Sequence, residues 1–254
     1  MRFARATGTL RGTVDESALP DRVAKALSRT FVADLAPDTR RRILAGAIRL
    51  DVPAGSVVYR DADAPGVALV VAGLIRVYLT SNDGRQLTVR YARAGGLLGV
   101  PTAIGGPALV STQALTAASL VVFNQANLRV LAMADPRLSW ALAEEVTERL
   151  YEVLEAFSGN VFGTVRQRLA KHLLDIAAEH QAGSRLVVPI GGQALADAIG
   201  TAREVVSRAL RDLRAAGIVA SADDGILVLH ADRLEDVAQT GRVTSVTSDI
   251  ISSH

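Results

Sequence analysis

From Phe31 to Ile48, in "FVADLAPDTRRRILAGAI", apolar residues recur three or four apart behind an Asp-Leu-Ala-Pro entry, a spacing that predicts a helix. The period then changes. As far as Gln125, short runs rich in Val, Leu and Tyr are separated by "PAG", "DADAPG", "NDG" and "AGG", which are turn signals. Asn82-Asp83-Gly84 between two apolar runs predicts a hairpin. Short strands at this spacing argue for a small antiparallel barrel, roll or sandwich.

A long helix is predicted next, over "DPRLSWALAEEVTERLYEVLEAFSGNVF", with Asp135-Pro136 as cap and first-turn proline. Leu138, Leu142, Val146, Leu150, Val153, Leu154, Phe157 and Val161 keep it apolar over several turns. Such a stripe can pack on the chain's own barrel or on a second copy in a coiled coil. It runs farther than a small barrel could cover, which favours the pair.

After Gly163 the pattern reads helix ("TVRQRLAKHLLDIAAEH"), short strand ("GSRLVVPI"), helix ("GGQALADAIG"), turn at Gly200, helix ("TAREVVSRALRDLRAAGIV") and a hairpin turning at Asp223-Asp224-Gly225. That order is a winged helix-turn-helix. The expected class is therefore α+β: a flexible tail over 1–26, an antiparallel β-roll over 27–134, the long helix over 135–162, a winged helix-turn-helix over 163–238, and a Ser/Thr-rich flexible tail over 239–254.

Within the last of those helices the residues divide cleanly. At about 100° per residue, Arg203, Glu204, Ser207, Arg208, Arg211 and Arg214 fall on one arc, and Val205, Val206, Ala209, Leu210 and Leu213 fill the opposite one. Thr201 with Glu204 matches a capping box, which would start the helix at Thr201. An Arg/Glu face can be simple solvated surface. Here it opens the second helix of a helix-turn-helix, where side chains enter the major groove. Arginine can donate twice to guanine and glutamate can accept from cytosine N4, so base reading is the stronger explanation.

Composition narrows the remaining choices. The 254 residues suffice for two domains. With no cysteine, disulfides, thiolate metal sites and cysteine-bound iron–sulfur clusters are excluded. A net charge of +2 gives no bulk attraction for an acidic partner, so basic surface must be local. Lysine occurs only at Lys25 and Lys171, and the arginines that make up the rest of the basic set suit bidentate contacts to phosphate or guanine. The N-terminal "MRFARATGTLRGTVDESALPDR" lacks the apolar core of a signal or anchor, and "GVALVVAGLI" is too short to cross a bilayer as a helix. A cytoplasmic protein without a membrane partner is expected.

At this point the chain resembles the Crp/Fnr transcription regulators, the family named for the cyclic-AMP receptor protein. The likeness is strongest over "VRQRLAKHLLDIA" and "GGQALADAIGTAREVVSRALRDLRAAGIV" and extends from about residue 31 to 238. Glu204-Val205-Val206-Ser207-Arg208, preceded by Arg203, is similar to the family's E-x-x-S-R recognition pattern. The resemblance implies that Glu204 and Arg208 read a C·G or G·C pair in a TTGAT-like or TGTGA-like half-site, Ser207 favouring the former. It also implies that Gln193 and Thr201 contact phosphates near the turn. It further implies a β-roll sensor, a homodimer through the long helix, RNA polymerase as a partner, and a palindromic duplex with half-sites about 34–36 Å apart.

The sensor departs from the family pattern. No charged residue lies between Arg93 and Arg129, which suits either buried strands or loops lining a cavity. Gly95-Gly96-Leu97-Leu98-Gly99 aligns with the start of the phosphate-binding cassette, but the family's glutamate falls on Val100 and its arginine near Val110, before Ser111 and Thr112. Val153 and Leu154 replace the polar pair that would touch adenine. Ordinary cyclic-AMP binding is not expected unless another arginine enters the pocket, because a buried phosphate needs a compensating charge. His172, His180, His230 and His254 all lie outside the expected sensor, so a haem there has no histidine ligand. No cofactor or metal is expected. The candidate effector pocket comprises Gly99, Val100, Pro101, Val110, Ser111 and Thr112 with Arg149 and Val153 from the helix. No catalytic constellation argues for an enzyme. The competing function is a regulatory module that binds a ligand or a protein and whose winged helix does not read DNA.

Overall fold

The computed structural model describes residues 8–14, 19–61, 63, 66–178, 181–182 and 185–239. It divides between Leu154 and Glu155 into two compact units. The first opens with β1 (Thr9–Thr13), α1 (Asp21–Leu27), a 3-10 turn (Phe31–Asp34) and α2 (Pro37–Leu44). Strands β2 (Ile48–Val52), β3 (Val57–Tyr59), β4 (Ala68–Ala72), β5 (Ile75–Thr80), β6 (Gln86–Ala92) and β7 (Leu97–Leu98) follow. Then come α3 (Val100–Gly105), β8 (Ser111–Ala114), β9 (Ala118–Val122), α4 (Gln125–Ala134) and α5 (Pro136–Phe162).

The strands form two antiparallel sheets, ordered β1-β2-β9-β4-β7 and β3-β8-β5-β6. Leu50, Val52, Val70, Ile75, Val77, Leu98 and Leu120 pack in the roll interior. On the other side of the first sheet, Leu69, Val71 and Val121 pack with Val23, Leu44, Leu131, Leu138 and Leu142 from the helices. Strand β4 thus buries both faces, Ala68 and Val70 inward and Leu69 and Val71 toward the helices, which is why its sequence is apolar without interruption. The hairpin expected at Asn82-Asp83-Gly84 joins β5 to β6, with Thr80 opposite Gln86 and Gly84 at φ 83°.

Three expectations are corrected. The stretch 1–26 is not simply a tail: Thr9–Thr13 adds an edge strand to β2, and α1 buries Val23, Ala26 and Leu27. All five residues of β1 are exposed, so its sequence carries no burial alternation. The single helix expected over 31–48 is a 3-10 turn, a break before Pro37, and α2 ending at Leu44. Ala36, preceding a proline, is held extended, and Gly46 at φ 74° turns the chain into β2. Helix α3 lies in a stretch read as strands and turns, and α4 follows that stretch within the span assigned to the roll.

Along α5 the apolar residues have two destinations. Leu138 and Leu142 are buried in the core beside the sheet, with Val146 packed against it. Trp140, Leu150, Leu154, Phe157 and Val161 are each more than half exposed. With the exposed Ala143 and Thr147 they recur at alternating intervals of three and four, the heptad spacing of a coiled-coil seam.

Candidate nucleic-acid interface

The second unit contains α6 (Val165–Ala177), β10 (Gln181–Ala182), β11 (Arg185–Val188), α7 (Gly192–Ile199), α8 (Arg203–Ala215), β12 (Val219–Ala222), β13 (Gly225–Val228) and α9 (Ala231–Gln239). Its strands form one antiparallel sheet, β10-β11-β13-β12. Leu169, Leu173, Leu195, Ile199, Val206, Leu213 and Leu234 are fully buried between the helices. Thr164 caps α6 in a reciprocal box with Gln167. Gln239, the first residue of the expected tail, ends α9, and residues 240–254, like His180, lie outside the described residues.

Gly200 adopts a left-handed conformation (φ 66°, ψ 43°) that lets the chain reverse between α7 and α8. The amides of Gly200 and Thr201 both donate to the Ala196 carbonyl. Thr201 therefore belongs to the end of α7, which corrects the expected capping box: α8 starts at Arg203, and Ala202 at its N-cap offers no side-chain acceptor. Glu204 stands in the first turn without a reciprocal partner at Thr201.

Burial confirms the division of α8. Val206, Ala209, Leu210 and Leu213 are buried and Val205 is half-buried. Arg203, Glu204, Ser207, Arg208, Arg211 and Arg214 are all exposed. On α7, Gln193 is exposed and its Nε2 donates to Asp197 Oδ1 at 2.8 Å. The surface combines guanidinium donors, a carboxylate and a hydroxyl on a helix held rigidly from behind, an arrangement able to read base edges in a major groove. The turn between β12 and β13 presents Asp223 and Asp224, both exposed, so the wing tip adds negative charge.

In the roll, the residues proposed for an effector serve several roles. Gly99 sits at φ 74°, where a Cβ would come within 2.4 Å of the Gly66 carbonyl. Val100 is buried in the core beside the helices, Pro101 is exposed, and Val110 packs against the roll core. The Ser111 hydroxyl accepts from the Asp61 amide at 3.1 Å and the Thr112 hydroxyl from the Tyr59 amide at 3.2 Å. Val153 is exposed, whereas Arg149 is half-buried and its Nε donates to Glu145 Oε1 at 2.8 Å.

One charged group that the sequence reading passed over enters here. Between Val77 and Tyr78 the β5–β6 register shifts, so that Tyr78 faces Thr88 and Val77 faces Arg90, with Val89 as the extra residue. Arg90 thereby shares a side of the sheet with Val77, in the roll core. Its side chain is 14% exposed, its Nη2 donates to the Leu97 carbonyl at 2.7 Å, and its Nε lies 3.8 Å from Glu152 Oε2. Burial, then the charge of Arg149, pull the Arg90 guanidinium below its ordinary pKa, against the pull of Glu152, Tyr59 and Glu145. Burial pushes the Tyr59 hydroxyl up to about 12, against the opposing effect of Arg90. Burial also acts to lower Arg149, but hydrogen bonds to Glu145 and Glu152 outweigh it and leave its pKa raised. Metal-type clusters of His, Cys, Asp or Glu are absent among the described residues.

Fold and site together define a regulator with an antiparallel β-roll and a DNA-binding winged helix. Residues 49–135 match the cyclic nucleotide-binding domain and residues 167–237 the Crp-like helix-turn-helix domain, together more than half of the chain. The chain belongs to the Crp/Fnr family of transcription regulators. It is 28% identical over 195 residues to the probable transcriptional regulator flp of Lacticaseibacillus casei, covering 74% of this chain and 85% of that protein. It is 25% identical over 174 residues to the transcriptional regulator SdrP of Thermus thermophilus, covering 67% and 83%. A crystal structure of a crp/fnr family regulator from Eubacterium rectale shares the fold, with a TM-score of 0.68 at 21% identity over 82% of this chain and 97% of that one. Among the described residues, no helix is long and apolar enough to cross a membrane.

Proposed function

We propose that the protein is a homodimeric regulator that reads a palindromic TTGAT- or TGTGA-like duplex through α8 and whose roll lacks the determinants for the phosphate of cyclic AMP. The single observation that carries the DNA reading is the exposed Arg203–Glu204–Ser207–Arg208 surface of α8, set against a buried Val206–Leu210–Leu213 face. The exposed heptad positions from Trp140 to Val161 support pairing through α5, since a seam of this spacing buries itself only against another helix. RNA polymerase as a further partner rests on family membership. Val100 and Val110 offer no charge to a phosphate, so the usual cassette chemistry has no residue to perform it.

Selection of bound duplexes from a random pool, followed by titration over a range of salt, tests the reading. The expected result is an enriched palindrome bound with an affinity that falls steeply with salt, as counterion release requires. Absence of both an enriched sequence and a salt slope would instead favour a module whose winged helix contacts protein alone.

A further inference from the structure

The space between β6 and α5 is already furnished with opposed charges. Arg90 approaches from the sheet, opposite Val77 and on the same side as Ala92. From the helix, Glu145, Arg149 and Glu152 lie on successive turns, Arg149 donating through Nε to Glu145 and through Nη1 to Glu152. Glu148 stands 3.8 Å from Arg149 on the solvent side, its side chain 69% exposed. The second oxygen of Glu152, Oε2, is buried, accepts no hydrogen bond, and faces the Arg90 Nε at 3.8 Å. A guanidinium withdrawn from water needs an anion close by, and truncating one partner of such a pair costs far more than the pair contributes. Glu152 supplies that anion from within the chain.

We propose that the Glu152 carboxylate holds, beside Arg90, the place that an anionic effector would otherwise occupy, so that β6 and α5 are coupled with no bound ligand and loss of this carboxylate opens a site for a small oxyanion. Glu152 is a positioning residue in this scheme. Arg90 already satisfies the Leu97 carbonyl, and Arg149 already has Glu145, so an incoming phosphate would have to displace Glu152 to reach either guanidinium. The ligand class of the latent site is a tetrahedral or planar oxyanion, because a guanidinium fork matches its oxygens bidentately. The inference concerns the roll alone and is tested without DNA, so it stands or falls separately from the function proposed above.

The test is calorimetry and thermal melting of the full chain with inorganic phosphate, and in parallel with cyclic AMP, at matched ionic strength. Wild type is expected to give no saturable binding of either. E152A is expected to melt lower than wild type, to bind phosphate saturably, and to regain about 2–4 °C as the site fills. The double variant R90M/E152A is expected to lose that uptake. Should E152A not fold, E152Q keeps the volume and R90M/E152M removes both charges; recovery of a folded chain by the double replacement but by neither single one supports the pairing. Stoichiometric binding of phosphate or cyclic AMP by wild type that R90M abolishes would overturn the proposal. A folded E152A chain that takes up no phosphate, or one whose uptake survives R90M, would overturn it equally.

Discussion

The amide of Thr201 donates to the carbonyl of Ala196 at 3.0 Å, across the left-handed Gly200, so that Thr201 seals the end of one helix and leaves the next to begin at Arg203. Its hydroxyl is therefore not spent on capping α8. Thr201→Ala is expected to leave stability within about 0.5 kcal/mol of wild type. If the hydroxyl meets a phosphate, the same change weakens binding to every duplex alike and lowers the salt slope. Chemical denaturation beside DNA titration separates the two effects, and a loss confined to one base pair would contradict a phosphate contact.

Arg208→Ala should cost about 1–3 kcal/mol on the selected palindrome and flatten discrimination at one position of each half-site. The measurement is competition among duplexes substituted singly at each base pair. A uniform loss across all of them would reassign Arg208 to the backbone.

The two sides of α5 should respond differently. Leu142→Ala, at a position 4% exposed, is expected to destabilise the fold by about 2–5 kcal/mol while leaving the chain paired. Leu154→Glu, at a position 52% exposed, is expected to yield a folded monomer. Sedimentation combined with melting checks both. A Leu154→Glu chain that stays dimeric would remove the seam from the account.

The carboxylates of Asp223 and Asp224 at the wing tip face solvent, and near a duplex they would repel phosphate. Replacing both by asparagine should tighten binding to specific and unrelated duplexes to a similar extent and steepen the salt dependence. Unchanged affinity at low salt would place the wing away from the DNA.

Much of this was legible in the sequence, and each exception has its own cause. Helices α5, α6, α7 and α8 show a 3.6-residue period strong enough to reveal them as helices, and in α8 to separate its buried face from its polar one. The hairpins announce themselves through Asn82-Asp83-Gly84 and Asp223-Asp224-Gly225. Strand β1 was hidden because an edge strand with all five residues exposed has no alternation. Arg90 was passed over because a charged residue in a half-buried strand is ordinarily solvent-facing. A signal was nonetheless present: Arg90 lies two residues before Ala92, which is buried in the roll core, so an inward arginine could have been suspected. Thr201 failed as a cap because pattern matching cannot tell which of two adjoining helices a residue between them completes.

Acid should loosen the junction at the start of α5. Asp135 Oδ2 accepts from the Thr39 hydroxyl at 2.9 Å and Oδ1 from the Arg137 amide at 3.0 Å. The Thr39 hydrogen bond, chiefly, holds the Asp135 carboxyl below its ordinary value of 3.8. Its contribution is thus complete above that value and lost as pH falls through the lowered one. Melting temperatures followed from pH ~5 to ~2 should show a steeper acid decline in wild type than in Asp135→Asn, and parallel curves would count against it.

Because Leu138 and Leu142 anchor α5 to its own roll while the positions from Trp140 to Val161 lie elsewhere on the helix, selection can act on each set separately. If α5 pairs as proposed, a change in the charges beneath it at Arg90 and Glu152 would leave that exposed seam untouched.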